Sequence, residues 1–361
     1  MRSSISSSDD RFPQGHPWKR WGVALLGALA MLALMEGYFR FRGYQPSLPH
    51  DDRVLWARIR AQASEPGCKA LVCLGDSRVH MGIVPSALAR NCPGYTPCNL
   101  AVAGKTGAAV LKDLAQDASF KGVVLYGLHV PDFQSEKDWG DQKAYVDYDH
   151  DQWGILEGIS LNVRTPFQAS FAVLSQSVAL RRKMMPWLYG VTSLPQFALF
   201  GPDRFGETHF HKLSAAQLEG YRKSTTAGAI DDLKARLAQV TPEEWQRVLK
   251  GVASLVARIK ERGGNVVFVR MPLGRELKEA AERLFPKEQY WNVIAPLTRA
   301  ATLDFEDMPE CAGMLCPDNS HVEPQDAVKF TEALTARLKQ RGILDGAARF
   351  EAAGFGAGET R

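Results

Sequence analysis

Three residues of this chain have the types that acyl transfer requires. Ser77 stands in Gly75-Asp76-Ser77-Arg78, while Asp318 and His321 stand in Asp318-Asn319-Ser320-His321 near the opposite end. A serine hydroxyl is a weak nucleophile until a neighbouring base takes its proton, and a histidine base works best when a carboxylate holds its tautomer and orientation. Serine, histidine and an aspartate three residues ahead of that histidine fill those three roles. Singly, each residue also has a structural use. A serine caps a helix, and Asp318 and Asn319 suit a turn. Their meaning depends on the elements that carry them.

Those elements are legible in the pattern of apolar residues. Ala70 to Leu74 is a short apolar run that stops on Gly75, as a buried strand does. Cys98 to Ala103 predicts a second strand, ending in the loop Gly104-Lys105-Thr106-Gly107. Ala108 to Ala118 follows at helical spacing, with Val110, Leu111 and Leu114 in one stripe. Gly122 to Gly127 predicts a third strand that ends at Leu128-His129. Thr241-Pro242-Glu243-Glu244 combines a cap, a first-position proline and first-turn acids, so a helix runs from there to about Arg262. Asn265 to Arg270 is then a fourth strand, Thr302 to Phe305 a fifth, and Asp326 to Arg341 a closing helix.

Strands separated by helices predict an α/β fold, a parallel sheet covered on both faces. Right-handed crossovers place every strand's carboxyl end on one edge. Ser77, Gly104, His129, Arg270 and the Asp318/His321 loop would therefore share one cleft. Residues 133–240 break the alternation and read as an inserted helical cap or substrate lobe, with a helical stretch from Phe167 to Leu180 and an interrupted apolar run, Met184 to Leu188. His209 and His211 alternate in it, but no third ligand stands at metal-binding spacing, so no metal is expected.

The amino-terminal region reads differently. Residues 1–20 are rich in Ser, Asp and Arg without hydrophobic period, and residues 346–361 are rich in Gly and Ala; both are expected to be disordered tails. Trp21 to Phe39 is nearly all apolar, with Glu36 its one charge, and is just long enough to cross a bilayer. Lys19 and Arg20 precede it, Arg40 and Arg42 follow, and no small-residue cleavage site comes after it. The reading is an uncleaved anchor over 21–39, amino terminus inside and everything after residue 42 outside. Residues 40–66 read as a stalk or linker, and 67–345 as the folded domain.

Six cysteines agree with an oxidising compartment. Cys92 and Cys98 bracket one short loop and Cys311 and Cys316 another, where a disulfide would staple a turn; Cys68 and Cys73 are either paired or reduced. A formal net charge of +4, with no run of Lys or Arg, gives nucleic-acid binding no support.

Gly-Asp-Ser after the first strand, a glycine after the second and Asp-x-x-His before the last helix resemble the SGNH (GDSL-type) hydrolase superfamily. The resemblance covers about residues 68–340 apart from the insertion. It implies a three-layer, flavodoxin-like parallel sheet and a site that needs no cofactor. Ser77 would be the nucleophile, His321 its base and Asp318 the orienting carboxylate, with the Ser77 and Gly104 N–H groups as oxyanion donors. The superfamily's third block reads Gly-x-Asn-Asp, whereas this chain has Gly127-Leu128-His129-Val130, so His129 takes the asparagine's place as a third donor.

Within the superfamily, the anchor, Gly-Asp-Ser-Arg, Val269-Arg270-Met271-Pro272 and the late Asp-x-x-His resemble membrane-anchored, exported members linked to O-acylation of cell-surface polysaccharides. That implies an O-acyltransferase, usually of acetyl, or an esterase, held at the cytoplasmic membrane with its catalytic domain in the periplasm or outside the cell. Its partners would be an acylated or acceptor glycan and a membrane-bound protein that supplies acyl groups. Arg78 and Arg270, at the cleft edge, would hold a carboxylated or phosphorylated glycan. The altered third block favours an alternative, a non-catalytic scaffold that binds polysaccharide or the proteins of an export complex.

Overall fold

Seven strands follow one another among the described residues. They are β1 (Ala70–Leu74), β2 (Thr96–Asn99), β3 (Val123–Gly127), β4 (Ala198–Phe200), β5 (Gly206–Thr208), β6 (Asn265–Arg270) and β7 (Ala301–Asp304) in the computed structural model, which describes residues 17–133, 142–179 and 194–344. Five form one sheet in the order β2-β1-β3-β6-β7, every pair parallel, and β4 and β5 form a separate antiparallel pair. This is the α/β architecture expected from the alternation of strands and helices, with flavodoxin-like strand order.

The sheet's two covered faces explain why its central strands β1, β3 and β6 are apolar runs rather than alternating, while the edge strands β2 and β7 carry polar residues. On one face Val72, Leu74, Val124, Tyr126, Val266 and Phe268 pack against Trp56, Leu111, Trp245 and Leu249. These come from the helices Arg53–Gln62, Ala108–Gln116 and Pro242–Glu261. On the other face Leu71, Cys73, Leu125, Val267 and Val269 meet Val79 and Leu88, which follow β1, and Phe330 and Leu334 of the final helix Pro324–Gln340. From β1 the chain passes to β2 on one side and returns to β3 on the other. Order reverses there, so a crevice opens at the carboxyl ends of β1 and β3.

Several expectations change. Residues 40–66 are no stalk. Asp52 caps the helix Arg53–Gln62 by accepting from the N–H groups of Val54 (3.0 Å) and Leu55 (3.2 Å), and Trp56, fully buried, donates through Nε1 to the Leu100 carbonyl at 3.0 Å. In the insertion the helix is Ile155–Ser170, not Phe167 to Leu180: the chain turns extended at Phe171 and continues as two short 3-10 turns. The β4–β5 hairpin was not expected, because three-residue strands are too short to show a period.

All six cysteines are free. The reason is the sheet itself. Cys98 packs in the core on one face and Cys92 in the core on the other, and Cys68 and Cys73 are divided the same way. Cys311 and Cys316 belong to separate clusters as well. Burial pushes the Cys98 thiol up to about 12, so it stays protonated and inert.

The helix Pro17–Phe41 stands away from the domain core, and its stretch Trp18–Phe41 is long and apolar enough to cross a membrane. Residues 1–16, 345–361 and the run Met184 to Leu188 lie outside the described residues.

Candidate active site

The turn that carries Ser77 begins at Gly75, whose φ is +142°. A Cβ there would sit 2.6 Å from Val79 Cγ2 and 2.8 Å from the Gly127 carbonyl oxygen, so only glycine lets β1 end this close to β3. Asp76 then caps the short helix Ser77–Gly82, its Oδ1 accepting from the Arg78 N–H at 2.9 Å. Ser77 falls at the first helical position, where a backbone N–H has no carbonyl to reach within the helix.

A second turn stands after β2. The Lys105 N–H donates to the Val102 carbonyl at 3.1 Å, and Gly104 takes the third position with φ +69°, as a type II turn demands. Among the described residues no protein group accepts from the Gly104 N–H. Gln142, fully buried, ties the two turns together: its Nε2 donates to the carbonyls of Gly75 (3.1 Å) and Lys105 (3.4 Å).

The loop before the final helix brings the remaining two groups. Asp318 has no solvent exposure. Its Oδ1 accepts from the N–H groups of Ser320 (2.9 Å) and His321 (2.7 Å), and its Oδ2 faces His321 Nδ1 at 2.7 Å. His321 Nε2 lies 2.8 Å from Ser77 Oγ. Burial alone would raise the Asp318 carboxyl's pKa, but the hydrogen bonds and charge of His321 and the two backbone donors outweigh it and hold the pKa below the usual range. An ionised Asp318 keeps the proton on Nδ1, which leaves Nε2 free to accept the serine proton. Asn319, at φ +66°, fixes the loop by donating to Thr226 Oγ1 (2.9 Å) and Glu276 Oε2 (3.0 Å).

His129 is half-buried at the end of β3. Arg78 Nη2 lies 3.4 Å from its Nδ1, and the same guanidinium reaches Ser320 Oγ and Asp76, each at 3.4 Å. A guanidinium only donates, so Nδ1 accepts and the imidazole proton sits on Nε2. That Nε2 is shielded from solvent and has no partner among the described residues. Burial, then the charges of Arg78 and Arg236, push the His129 pKa well down, so the ring is neutral. It is an N–H donor held ready and unused.

Arg270 does not join this cluster as a free cation. It binds Glu282 (2.7 Å), Glu306 (2.8 Å) and Asp304 (3.1 Å), stacks over Phe305, and shares Asp304 and Glu306 with Lys287. Three carboxylates neutralise it, so the expectation that it holds a glycan fails on charge. Burial would raise the Glu306 pKa, but hydrogen bonds from Lys278 and Lys287 bring it down to about 2. His209 pairs with Glu207 at 3.2 Å, and no group of three metal-ligating side chains occurs among the described residues.

Four supporting residues escaped the sequence reading. Arg204, almost fully buried, donates to the carbonyls of Ala101 (2.8 Å), Asn99 (3.1 Å) and Asp52 (3.3 Å), and so braces the segment that leads to the Gly104 turn. Burial lowers its pKa to about 10, which still leaves it charged. His80, fully buried on the nucleophile helix, packs 5.2 Å from the Phe200 ring. Asp132 accepts from the Tyr126 hydroxyl at 3.2 Å, and burial pushes its carboxyl up to about 7 against the opposing charge of Arg236. Gln142 is the fourth. Of these, only His80 carried a signal, a histidine three residues after the serine on the same helix.

Beside Arg78 and His129 lies a cavity of about 40 Å³, walled by Met271, Leu273, Phe285 and Trp291 and by the Arg270, Glu282 and Lys287 cluster. Ser77, His321 and Asp318 lie in one hydrogen-bonded chain, with the Gly104 N–H and His129 Nε2 without partners among the described residues, a geometry through which a serine proton can pass to histidine.

Protein-family models and curated proteins gave no match to this chain. Among solved structures it is similar to one described as the crystal structure of TesA, at 14% identity and a TM-score of 0.31, over 75% of this chain and 98% of that one.

Proposed function

We propose that this chain is a membrane-anchored serine acyl-transfer enzyme of the SGNH type, an O-acetyltransferase or esterase acting on a cell-surface polysaccharide. The observation that carries the reading is the continuous chain from Ser77 Oγ through His321 to Asp318, with links of 2.8 and 2.7 Å. Ser77 Oγ attacks the acyl carbonyl as its proton passes to His321 Nε2. The oxyanion that forms is held by the N–H groups of Ser77 and Gly104, with His129 Nε2–H as a third donor. His321 then gives the proton to the departing alcohol. A sugar hydroxyl, or water, attacks the acyl-Ser77 ester and returns the serine by the same steps reversed. One such donor is worth ~3–4 kcal/mol of transition-state stabilisation.

In this reading the helix Trp18–Phe41 crosses the cytoplasmic membrane and the domain stands outside it. Acyl groups arrive there from a membrane-bound donor protein.

The test is acetyl release from p-nitrophenyl acetate by the full chain in detergent, wild type against Ser77→Ala, with and without an acceptor glycan. Turnover that disappears in Ser77→Ala and is diverted onto the acceptor is the expected result. Loss without diversion makes the protein an esterase. Equal, negligible rates for two folded proteins would sink the catalytic reading and leave the scaffold alternative.

A further inference from the structure

One helix of the insertion carries its apolar residues on the wrong side for a globular domain. In Ile155–Ser170 the face toward the domain holds Leu161, fully buried, with Asn162 accepting from Arg58 (3.0 Å) and Arg164 paired with Asp52 (2.6 Å). The opposite face holds Ile155, Leu156, Ile159, Val163 and Phe167, followed by Phe171. Ile155 is 84% exposed, Ile159 56% and Phe167 55%. The spacing is mostly four residues, one side of a helix, and no charge interrupts it. A continuous apolar stripe facing water is what soluble surfaces avoid.

The stripe has a neighbour that says what covers it. Where the helix ends, its backbone docks on the amino-terminal apolar helix. Glu36 accepts from the N–H groups of Ala172 (3.0 Å) and Val173 (2.9 Å), and Arg40 donates to the Ser170 carbonyl at 2.7 Å. The exposed stripe is therefore continuous with the last turns of the segment read above as the membrane anchor. These contacts also account for the one acidic residue in that segment, since Glu36 meets Arg40 at 2.6 Å in addition to the two backbone donors.

We infer that the helix Ile155–Ser170 lies in the lipid leaflet facing the domain, its Ile155–Phe167 face among the acyl chains, as a second membrane contact beside the span. The occupant is the bilayer that the anchor itself crosses, so the inference rests on the membrane reading of Trp18–Phe41. A helix with one apolar and one polar, domain-bound face is the form that lies in an interface. Here the polar face is satisfied by Arg58 and Asp52 rather than by solvent.

The experiment uses the full chain reconstituted in phosphatidylcholine vesicles doped with a phosphatidylcholine bearing a diazirine on its acyl chain. After photolysis, cross-links are mapped by peptide mass spectrometry. Adducts on both 18–41 and 155–171 are expected. In the variant Ile159→Asp/Val163→Asp, adducts on 155–171 fall about tenfold or more while those on 18–41 persist, because an aspartate in hydrocarbon is costly. Both positions are exposed, so the variant's melting temperature outside lipid should match the wild type. Adducts on 18–41 with none on 155–171 would overturn the inference and leave the anchor intact. Unchanged adducts on 155–171 in the double aspartate variant would overturn it too. No adducts on 18–41, with or without adducts on 155–171, would overturn the membrane reading and this inference together.

Discussion

Two polar clusters stand at the same carboxyl edge of the sheet, and they are built on opposite rules. At the ends of β6 and β7, Arg270, Lys278 and Lys287 meet Glu282, Asp304 and Glu306, so every charge has an opposite neighbour within hydrogen-bond reach. At the ends of β1, β2 and β3, the Gly104 N–H and His129 Nε2 have no partner among the described residues, and the Ser77 hydroxyl faces a base instead of a structural acceptor. A saturated cluster locks strands together and has nothing left to offer a substrate. An incomplete one keeps donors free for a ligand, which under the proposed function is the oxyanion. The contrast locates chemistry by what is left unbonded, not by how many charges are present.

The largest expected effect is at the incomplete cluster. Asp318→Asn should lower kcat/KM for p-nitrophenyl acetate by ~10⁴-fold, because an amide no longer fixes the Nδ1–H tautomer of His321. A loss of tenfold or less would mean that the Ser77–His321 contact works without its orienting acid.

At the saturated cluster the same kind of change should touch stability alone. Arg270→Met strands three carboxylates with only two lysines, which should cost about 2 kcal/mol in denaturant titration and leave kcat unaltered. A fall in kcat with unchanged stability would restore Arg270 to the site and break the distinction.

His129→Ala should show the reverse signature, kcat down by ~10²-fold with stability within about 1 kcal/mol of wild type. Unaltered kcat would remove His129 from the oxyanion site and leave it a packing residue.

The last contrast is one of pH dependence and concerns Asp132, whose carboxyl rises from 3.8 to about 7 on folding. Between those values the folded state holds a proton that the unfolded chain has released, so stability falls as pH rises, by at most ~1.4 kcal/mol per pH unit, and is level above 7. Asp132→Asn should flatten the slope of melting temperature against pH between 4 and 7. An identical slope would place the titrating group elsewhere.

The legible parts of this molecule were those that local pattern decides. Ala70–Leu74 and Asn265–Arg270 are buried on both faces, so their apolar runs end where the strands end. Thr241 caps the following helix as its neighbours foretold, accepting from the Glu244 N–H at 3.2 Å. Ser77, Asp318 and His321, grouped from the sequence by their places after β1 and before the final helix, lie within 2.8 and 2.7 Å of one another along one hydrogen-bonded chain. What escaped was set by contacts distant in sequence. Arg204 acts on residues 52, 99 and 101, and Gln142 on 75 and 105, and no window around either residue encodes that reach. The disulfide expectation failed for a related reason. Short spacing suggested closeness, but the sheet lies between Cys92 and Cys98 and sends them to opposite cores.

The bond between Glu36 and the Ala172 N–H joins residues 136 positions apart, and this imposes an order on assembly. The apolar helix emerges first during synthesis, carrying a carboxylate that only Arg40, one turn away, can neutralise at that stage. Its remaining donors, the Ala172 and Val173 N–H groups, come from the insertion. Glu36 is therefore fully satisfied only once the insertion rests against the helix Pro17–Phe41, and a mutation that displaces the insertion would leave this carboxylate with Arg40 as its one partner among these three.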